Sequence, residues 1–238
     1  MISVCIPAFN EEKNIQGLLN DLAVQIGVER EMIVADAAST DRTRQICEGS
    51  HVRVVDGGLP GIGRNRAARA ARGDWLLFLD ADVRLPSFTW LRDAVNECLR
   101  RRLDIAAVDL LPNGGAFIDL LLHRVYNFIV HLTARVLPHG AGACLFIRRE
   151  LFERINGFDE TITLAEDHDL TRRAAKHGHF GVLRVQGVLT SVRRLQKEGR
   201  WRLVRTYMRT EWHMLVHGPV RHGRIPYDLQ DRSHPPRC

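Results

Sequence analysis

From Met1 to about residue 112, short apolar runs alternate with segments of helical periodicity, and this alternation limits the possible folds more than any other feature. Met1–Pro7, "MIVAD" ending at Asp36, "VRVVD" ending at Asp56, "WLLFLD" ending at Asp80, and "IAAVDLL" read as strands. Between them, "FNEEKNIQGLLNDLAVQ" places Ile15, Leu18, Leu19 and Leu22 at helical spacing, with Asn10 as its expected N-cap. "STDRTRQICEG" reads as a second helix capped by Ser39 or Thr40. "GGLPGIG" reads as a glycine-rich loop, "RNRAARAARG" as a basic helix closed by Gly73, and "LPSFTWLRDAVNECLRR" as a further helix. Trp75–Leu79 is apolar at every position, as in a strand buried on both faces. The expected fold class is α/β, with a mostly parallel central sheet and helices on both faces. Ligands bind such sheets beyond the carboxyl ends of the strands. Pro7–Asn10, Asp36, Asp56–Gly63 and Asp80–Asp82 all fall there.

The pattern changes after residue 112. Ala116–Leu137 reads as a strongly apolar helix, and "GAGACLFIRRELFERINGFDE" as loop, strand and short helix. "LAEDHDLTRRAAKHG" reads as a helix with acids in its first turn. Glu198–His217 reads as an amphipathic helix, with Trp201, Val204, Met208 and Leu215 near one stripe and Arg202, Arg205 and Arg209 beside it. The segment after Gly218 is proline-rich and reads as a loose tail. The expected organisation is an α/β domain over 1–189, whose pattern changes after residue 112, a basic helical extension over 190–218 and the tail over 219–238.

Three motifs carry chemistry. If strand geometry persists past Leu79, Asp80 and Asp82 leave the sheet on the same side, because residues i and i+2 of a strand point the same way. Two such carboxylates either hold a hard divalent cation or stand as solvated loop aspartates. Arg64 and Arg66, after the glycines, either cover a diphosphate or form the basic face of a surface helix. "EDHDL", Glu166 to Leu170, places three acids in four residues, which suits either a general base or a capped helix start.

Other chemistry is excluded by pattern. No GxSxG, HExxH, Walker loop or complete dinucleotide fingerprint is present. The five cysteines are scattered without CxxC spacing, which argues for a reducing, cytoplasmic compartment over a disulfide or zinc framework. No secretory leader or 18-residue uncharged apolar run is found. The net charge of +6 is concentrated at one end: residues 190–238 carry +7 and residues 1–189 carry −1. That basic segment fits an anionic membrane surface, phosphate groups, or a solvated face on a packed helix. No nucleic-acid motif accompanies the charge, so nucleic acid is not an expected partner.

In this order, "SVCIPAFNEEKNIQGLL", "VADAASTDRT", "GIGRNRAARAARGDWLLFLDADVRLP", "LFIRRELFERINGFDE" and "AEDHDL" resemble family 2 glycosyltransferases of the GT-A fold, over roughly residues 2 to 180. The resemblance implies inverting transfer of a sugar from a nucleotide-diphosphate donor, with Mg2+ or Mn2+. It makes 1–189 the catalytic domain, with 1–112 the nucleotide-binding half and 113–189 the acceptor and base half. It implies that Pro7, Ala8, Phe9 and Glu11 line the nucleoside pocket, that Asp36 contacts the base and that Arg64 lies near the nucleotide. Asp82 becomes the direct metal ligand, and Asp80 lies near the ribose or metal. Asp167 becomes the general base, with Glu166 beside it. Arg193 and Arg194 are further candidates for the diphosphate. The common "DGSTD" is "DAASTD" here, a substitution of small residues expected to have slight effect. The processive "QxxRW" is absent, "RRLQKEGRW" being only a loose likeness, so a single transfer is expected. The acceptor is expected among glycans, polyprenyl phosphates and glycolipids, with a peripheral position on the inner face of the membrane as the corresponding location. The alternatives are nucleotidyl transfer on a related sheet, and a nucleotide-sugar-binding, membrane-docking protein without turnover. The first usually needs a glycine- and lysine-rich loop where this chain has "AFNEEKN".

Overall fold

In the computed structural model, residues 1–50 and 52–221 are described. The first half runs β1 (Ile2–Ala8), α1 (Ile15–Ala23), β2 (Arg30–Asp36), α2 (Thr43–Gly49), β3 (Arg53–Asp56), α3 (Pro60–Ala70), β4 (Trp75–Leu79), α4 (Trp90–Arg100) and β5 (Ile105–Ala107). The second runs β6 (Leu110–Asn113), α5 (Phe117–Thr133), β7 (Cys144–Arg148), α6 (Arg149–Arg154), β8 (Ile162–Leu164), α7 (Glu166–Ala175), β9 (Phe180–Val182) and β10 (Val188–Ser191). It closes with α8 (Arg193–Glu198), α9 (Arg200–His217) and β11 (Val220–Arg221).

Seven strands form the central sheet in the order β3-β2-β1-β4-β7-β5-β9. All pairings are parallel except those of β7, which is antiparallel to β4 and β5. Two small sheets, β10-β6 and β11-β8, stand beside it. Side chains of β1 and β4 alternate between two apolar layers. Val4, Ile6, Leu77 and Leu79 pack with α1, α2 and α4, while Cys5, Leu76 and Phe78 pack with α3, α6 and α7. This is the expected mostly parallel α/β sheet with helices on both faces.

Several expected boundaries shift, each for a local reason. Asn10 does not cap α1, which begins at Ile15; it adopts a left-handed φ of 53° and its side chain accepts the Thr40 N–H at 2.8 Å. Ser39 and Thr40 do not cap α2, which begins at Thr43; the Ser39 hydroxyl instead accepts the Asn10 N–H at 2.9 Å. The β1–α1 and β2–α2 loops are therefore tied together by polar side chains that would otherwise start helices. The glycine-rich segment is largely helical, because Pro60 opens α3 in a first turn that needs no proline N–H. "IAAVDLL" is two strands, β5 in the main sheet and β6 in the β10 pair. The C-terminal helical segment begins at Arg193 and breaks into α8 and α9 at Gly199, whose φ is +86°. Val220 is fully buried and pairs with β8, so strand structure extends into the expected tail; residues 222–238 lie outside the described residues.

Candidate active site

The register of β1, β2 and β3 sets Ala8 beside Asp36 and Asp36 beside Asp56, so their carboxyl ends share one sheet edge. β4 delivers Asp80 to that edge, where its N–H donates to the Ala143 carbonyl at 3.2 Å in the segment entering β7. The edge gathers Pro7, Ala8, Phe9, Glu11, Asp36, Asp80 and Asp82 from the first half of the chain and Glu166 and Asp167 from α7.

Arg64 binds the two halves. It projects from α3, is 3% exposed, and donates to Asp80 Oδ1 at 2.8 Å and to Glu166 Oε1 at 2.6 Å. Its guanidinium also lies over the Phe158 ring, 5.6 Å from the centroid. Burial alone would lower its pKa, but the surrounding Asp80, Glu166 and Asp167 carboxylates outweigh that and raise it. The Glu166 carboxyl is pushed up by burial, against the pull of Arg64 and with the help of Asp167. Arg64 is thus a fixed cation that ties α3 to both acidic motifs. Arg66 lies on the exposed side of α3 and donates to the Gly57 carbonyl at 2.6 Å. Gly142 explains how closely the segment approaches Arg64: a Cβ there would lie 2.5 Å from Nη2.

Asp167 is held by backbone. Its Oδ2 accepts the Gly142 N–H at 2.6 Å and its Oδ1 the His168 N–H at 2.9 Å. Ala165, immediately before α7, has φ 60° and ψ 36°. That left-handed conformation costs a non-glycine residue about 1–2 kcal/mol and turns Glu166 and Asp167 toward the sheet edge. Ala38 adopts the same region, with φ 59°. The alanine of "DAASTD" is therefore not a neutral stand-in for glycine.

Glu11 is buried; its Oε2 accepts from Asn14 at 2.6 Å and its Oε1 from Arg193 at 2.8 Å. Arg193 also lies 3.9 Å from Asp82 Oδ2, so α8 reaches the site. Asp36 is buried, accepts the Ser39 N–H at 3.3 Å and lies 3.8 Å from Arg44. Arg194 is directed to the C-terminal helices, donating to Glu198 at 2.6 Å and lying over the Tyr207 ring.

Local sequence patterns missed one group. His139, His168 and Glu211, from the β7 approach, α7 and α9, bring their ligand atoms within 4.8 Å of one another. His139 Nε2 and His168 Nδ1 each lie 3.0 Å from the Glu211 carboxylate, and Arg172 donates to the same carboxylate. With a guanidinium already on Glu211, the group acts as a latch fastening α9 to the helix that carries Asp167. Burial would raise the Glu211 pKa, but hydrogen bonds from both imidazoles and the Arg172 charge hold it far down. Burial would lower that of His168, but Asp167 and Glu211 raise it.

A mixed sheet with carboxylates and arginines gathered at its strand ends is the framework of GT-A proteins, and the chain belongs to glycosyl transferase family 2, whose model matches residues 3–155. A Staphylococcus aureus protein named poly(ribitol-phosphate) beta-N-acetylglucosaminyltransferase TarS is 30% identical over 184 residues, covering 72% of this chain and 32% of that protein. Escherichia coli chondroitin synthase is 28% identical over 227 residues, covering 86% of this chain and 32% of that one. The chain thus spans about a third of the length of these curated relatives. Crystallised S. aureus TarS 1-349 in complex with UDP-GlcNAc superposes with a TM-score of 0.64 at 25% identity, covering 80% of this chain and 58% of that one. The mannosyltransferase PcManGT from Pyrobaculum calidifontis, in complex with GDP-Man and Mn2+, shares the fold, with a TM-score of 0.66 at 22% identity, covering 94% and 65% of the two chains.

Proposed function

We propose that this chain transfers a single sugar, with inversion, from a nucleoside-diphosphate sugar to a hydroxyl or phosphate oxygen of an acceptor. One observation carries the reading: Arg64 joins Asp80 at the end of β4 to Glu166 at the start of α7, setting both acidic motifs around one point of the sheet edge. The UDP-GlcNAc complex of the TarS relative supports a nucleotide-sugar donor. Family membership favours this reading over nucleotidyl transfer, as does "AFNEEKN" after β1.

In the proposed reaction the acceptor oxygen attacks the anomeric carbon from the face opposite the diphosphate. The bond from that carbon to the phosphate oxygen breaks, and its electron pair leaves with the nucleoside diphosphate. Asp167 takes the acceptor proton, its carboxylate oriented by the Gly142 and His168 N–H groups. Glu166, engaged with Arg64, orients that cation and leaves the base role to Asp167. Pro7, Ala8, Phe9, Glu11 and Asp36 receive the nucleoside. Arg64 and Arg193 supply positive charge for the diphosphate.

The donor set fits a hard divalent cation. Asp80 and Asp82 are oxygen ligands, part-exposed, at 34% and 26%. Asp82, with Asp80, would hold Mg2+ or Mn2+, which when bound offsets charge on the leaving diphosphate. The acceptor class is a glycan, a polyprenyl phosphate or a glycolipid; residues 1–189 carry both acidic motifs, and Arg193 adds to the site from α8. The test is transfer by wild type and by Asp167→Asn with a labelled sugar. Loss of transfer with retained donor binding supports the base role, and full activity in the variant removes it.

A further inference from the structure

Helices α5 and α9 leave a large apolar surface uncovered. Phe117, Phe128 and Leu132 of α5 are 77%, 66% and 70% exposed; Trp201, Met208 and Trp212 of α9 are 69%, 67% and 68% exposed. Isolated exposed apolar residues are ordinary, but an aromatic and aliphatic stripe along one helix face marks an interaction surface.

Arg200, the first residue of α9, makes paired hydrogen bonds to buried Asp119 in the first turn of α5, at 2.6 and 2.9 Å. Past the end of α5, His139 lies 3.0 Å from the Glu211 carboxylate of α9. Each helix turns about 100° per residue, which fixes where every position points. On α5, Asp119, Asn127 and Val130 face inward and the Phe117–Phe128–Leu132 stripe lies on the opposite side. On α9, Leu203, Thr210 and Met214 face inward and the Trp201–Met208–Trp212 stripe is outward. Each stripe therefore points away from the buried side of its own helix.

Charge accompanies the stripes. Arg202, Arg205 and Arg209 are exposed on α9, and Arg124 is exposed on α5. Each helix carries one acidic residue, Asp119 and Glu211, and both are turned inward and ion-paired. An apolar face with aromatic anchors, arginine flanks and no outward acid matches an anionic bilayer surface. A second copy would set arginine flanks against arginine flanks.

We infer that the exposed aromatic and arginine face of α9 is an interfacial docking surface for anionic lipid. Its consequence rests on the sugar-transfer reading: α8, joined to α9 through Gly199, carries Arg193 to Glu11 and Asp82, so docking holds the sheet edge beside the bilayer and selects a membrane-borne acceptor. No helix among the described residues is long and apolar enough to cross a membrane, and the surface requires none.

The experiment is cosedimentation of the full chain with vesicles of phosphatidylcholine alone or in equal parts with phosphatidylglycerol, at low and high salt. Binding is expected to need the anionic lipid and to weaken with salt. Replacing Arg202, Arg205 and Arg209 by Gln should weaken it on the order of a hundredfold. Trp201→Ser with Trp212→Ser should weaken it at least about tenfold. Melting temperature and binding of UDP with Mn2+ should be unchanged in both variants, which separates failed docking from a failed donor reading. Absence of binding to anionic vesicles at low salt overturns the inference. So does wild-type binding by the tryptophan variant, or a dimer that this variant dissociates.

Discussion

Replacing Arg64 with Met removes the cation between Asp80, Glu166 and Asp167 while keeping much of the side-chain volume. The guanidinium is 3% exposed and makes ion pairs at 2.6 and 2.8 Å, so its loss leaves Glu166 without its ion-pair partner beside Asp167. Breaking a buried pair from one side costs about 3–5 kcal/mol, and partial exposure of Asp80 places this case at about 3 kcal/mol. For a chain of this size that lowers Tm by roughly 6–12 °C. The cost depends on pH with a definite sign. Glu166 already titrates above its ordinary 4.5 through burial, and losing Arg64 raises it further. A carboxyl raised in the folded state contributes stability that is complete below its unfolded pKa and is lost as pH rises through the folded value. The Tm deficit of Arg64→Met relative to wild type should therefore be largest at pH 8 and smaller at pH 5, as read by calorimetry across that range. Equal melting of variant and wild type at pH 8, or a deficit that grows on acidification, refutes the reasoning.

Asp167→Asn should cut transfer by about a hundred- to ten-thousandfold, the range of a general base, while circular dichroism and UDP binding stay as in wild type. Asp82→Ala should abolish the dependence of UDP binding on added Mn2+, as measured by titration calorimetry. Ala38→Gly relieves a left-handed alanine and should stabilise by about 0.5–1 kcal/mol, seen as a Tm increase of roughly 1–4 °C. Glu211→Gln should loosen α9 and make its segment more sensitive to limited proteolysis. Glu211, depressed, contributes above its unfolded 4.5 and loses that contribution in acid; His168, raised, contributes below its unfolded 6.5 and loses it as pH rises. The Tm difference between wild type and Glu211→Gln should be largest between these two values and shrink on either side.

The central sheet was legible because Trp75–Leu79 is apolar at every position, as in a strand covered on both faces, and shorter apolar runs alternate with helical periodicity around it. The acidic motifs were legible as strand-end and helix-start features. Less was visible where long-range pairing decides the role of a residue. Arg64 reads locally as a solvated helix residue, yet two carboxylates distant in sequence hold it in the interior. Asn10, Ser39 and Thr40 have the composition of helix caps but bond one another across two loops, a choice made by the β1–β2 register. The His139–His168–Glu211 group comes from three separate elements, so no spacing rule could find it. The apolar stripe of α9 fits either a packed helix or a membrane surface by periodicity, and Leu203, Thr210 and Met214 carry the packing.

The central claim is tested most directly by the products formed from nucleotide sugars. The full chain is incubated with Mn2+ and UDP- or GDP-linked sugars in the presence of glycan and lipid-phosphate acceptors, and the released nucleotide is identified by mass spectrometry. The expected result is a nucleoside diphosphate with the sugar transferred to one acceptor, both lost in Asp82→Ala and Asp167→Asn. Release of a nucleoside monophosphate with sugar phosphate, or undiminished release by both variants, contradicts it.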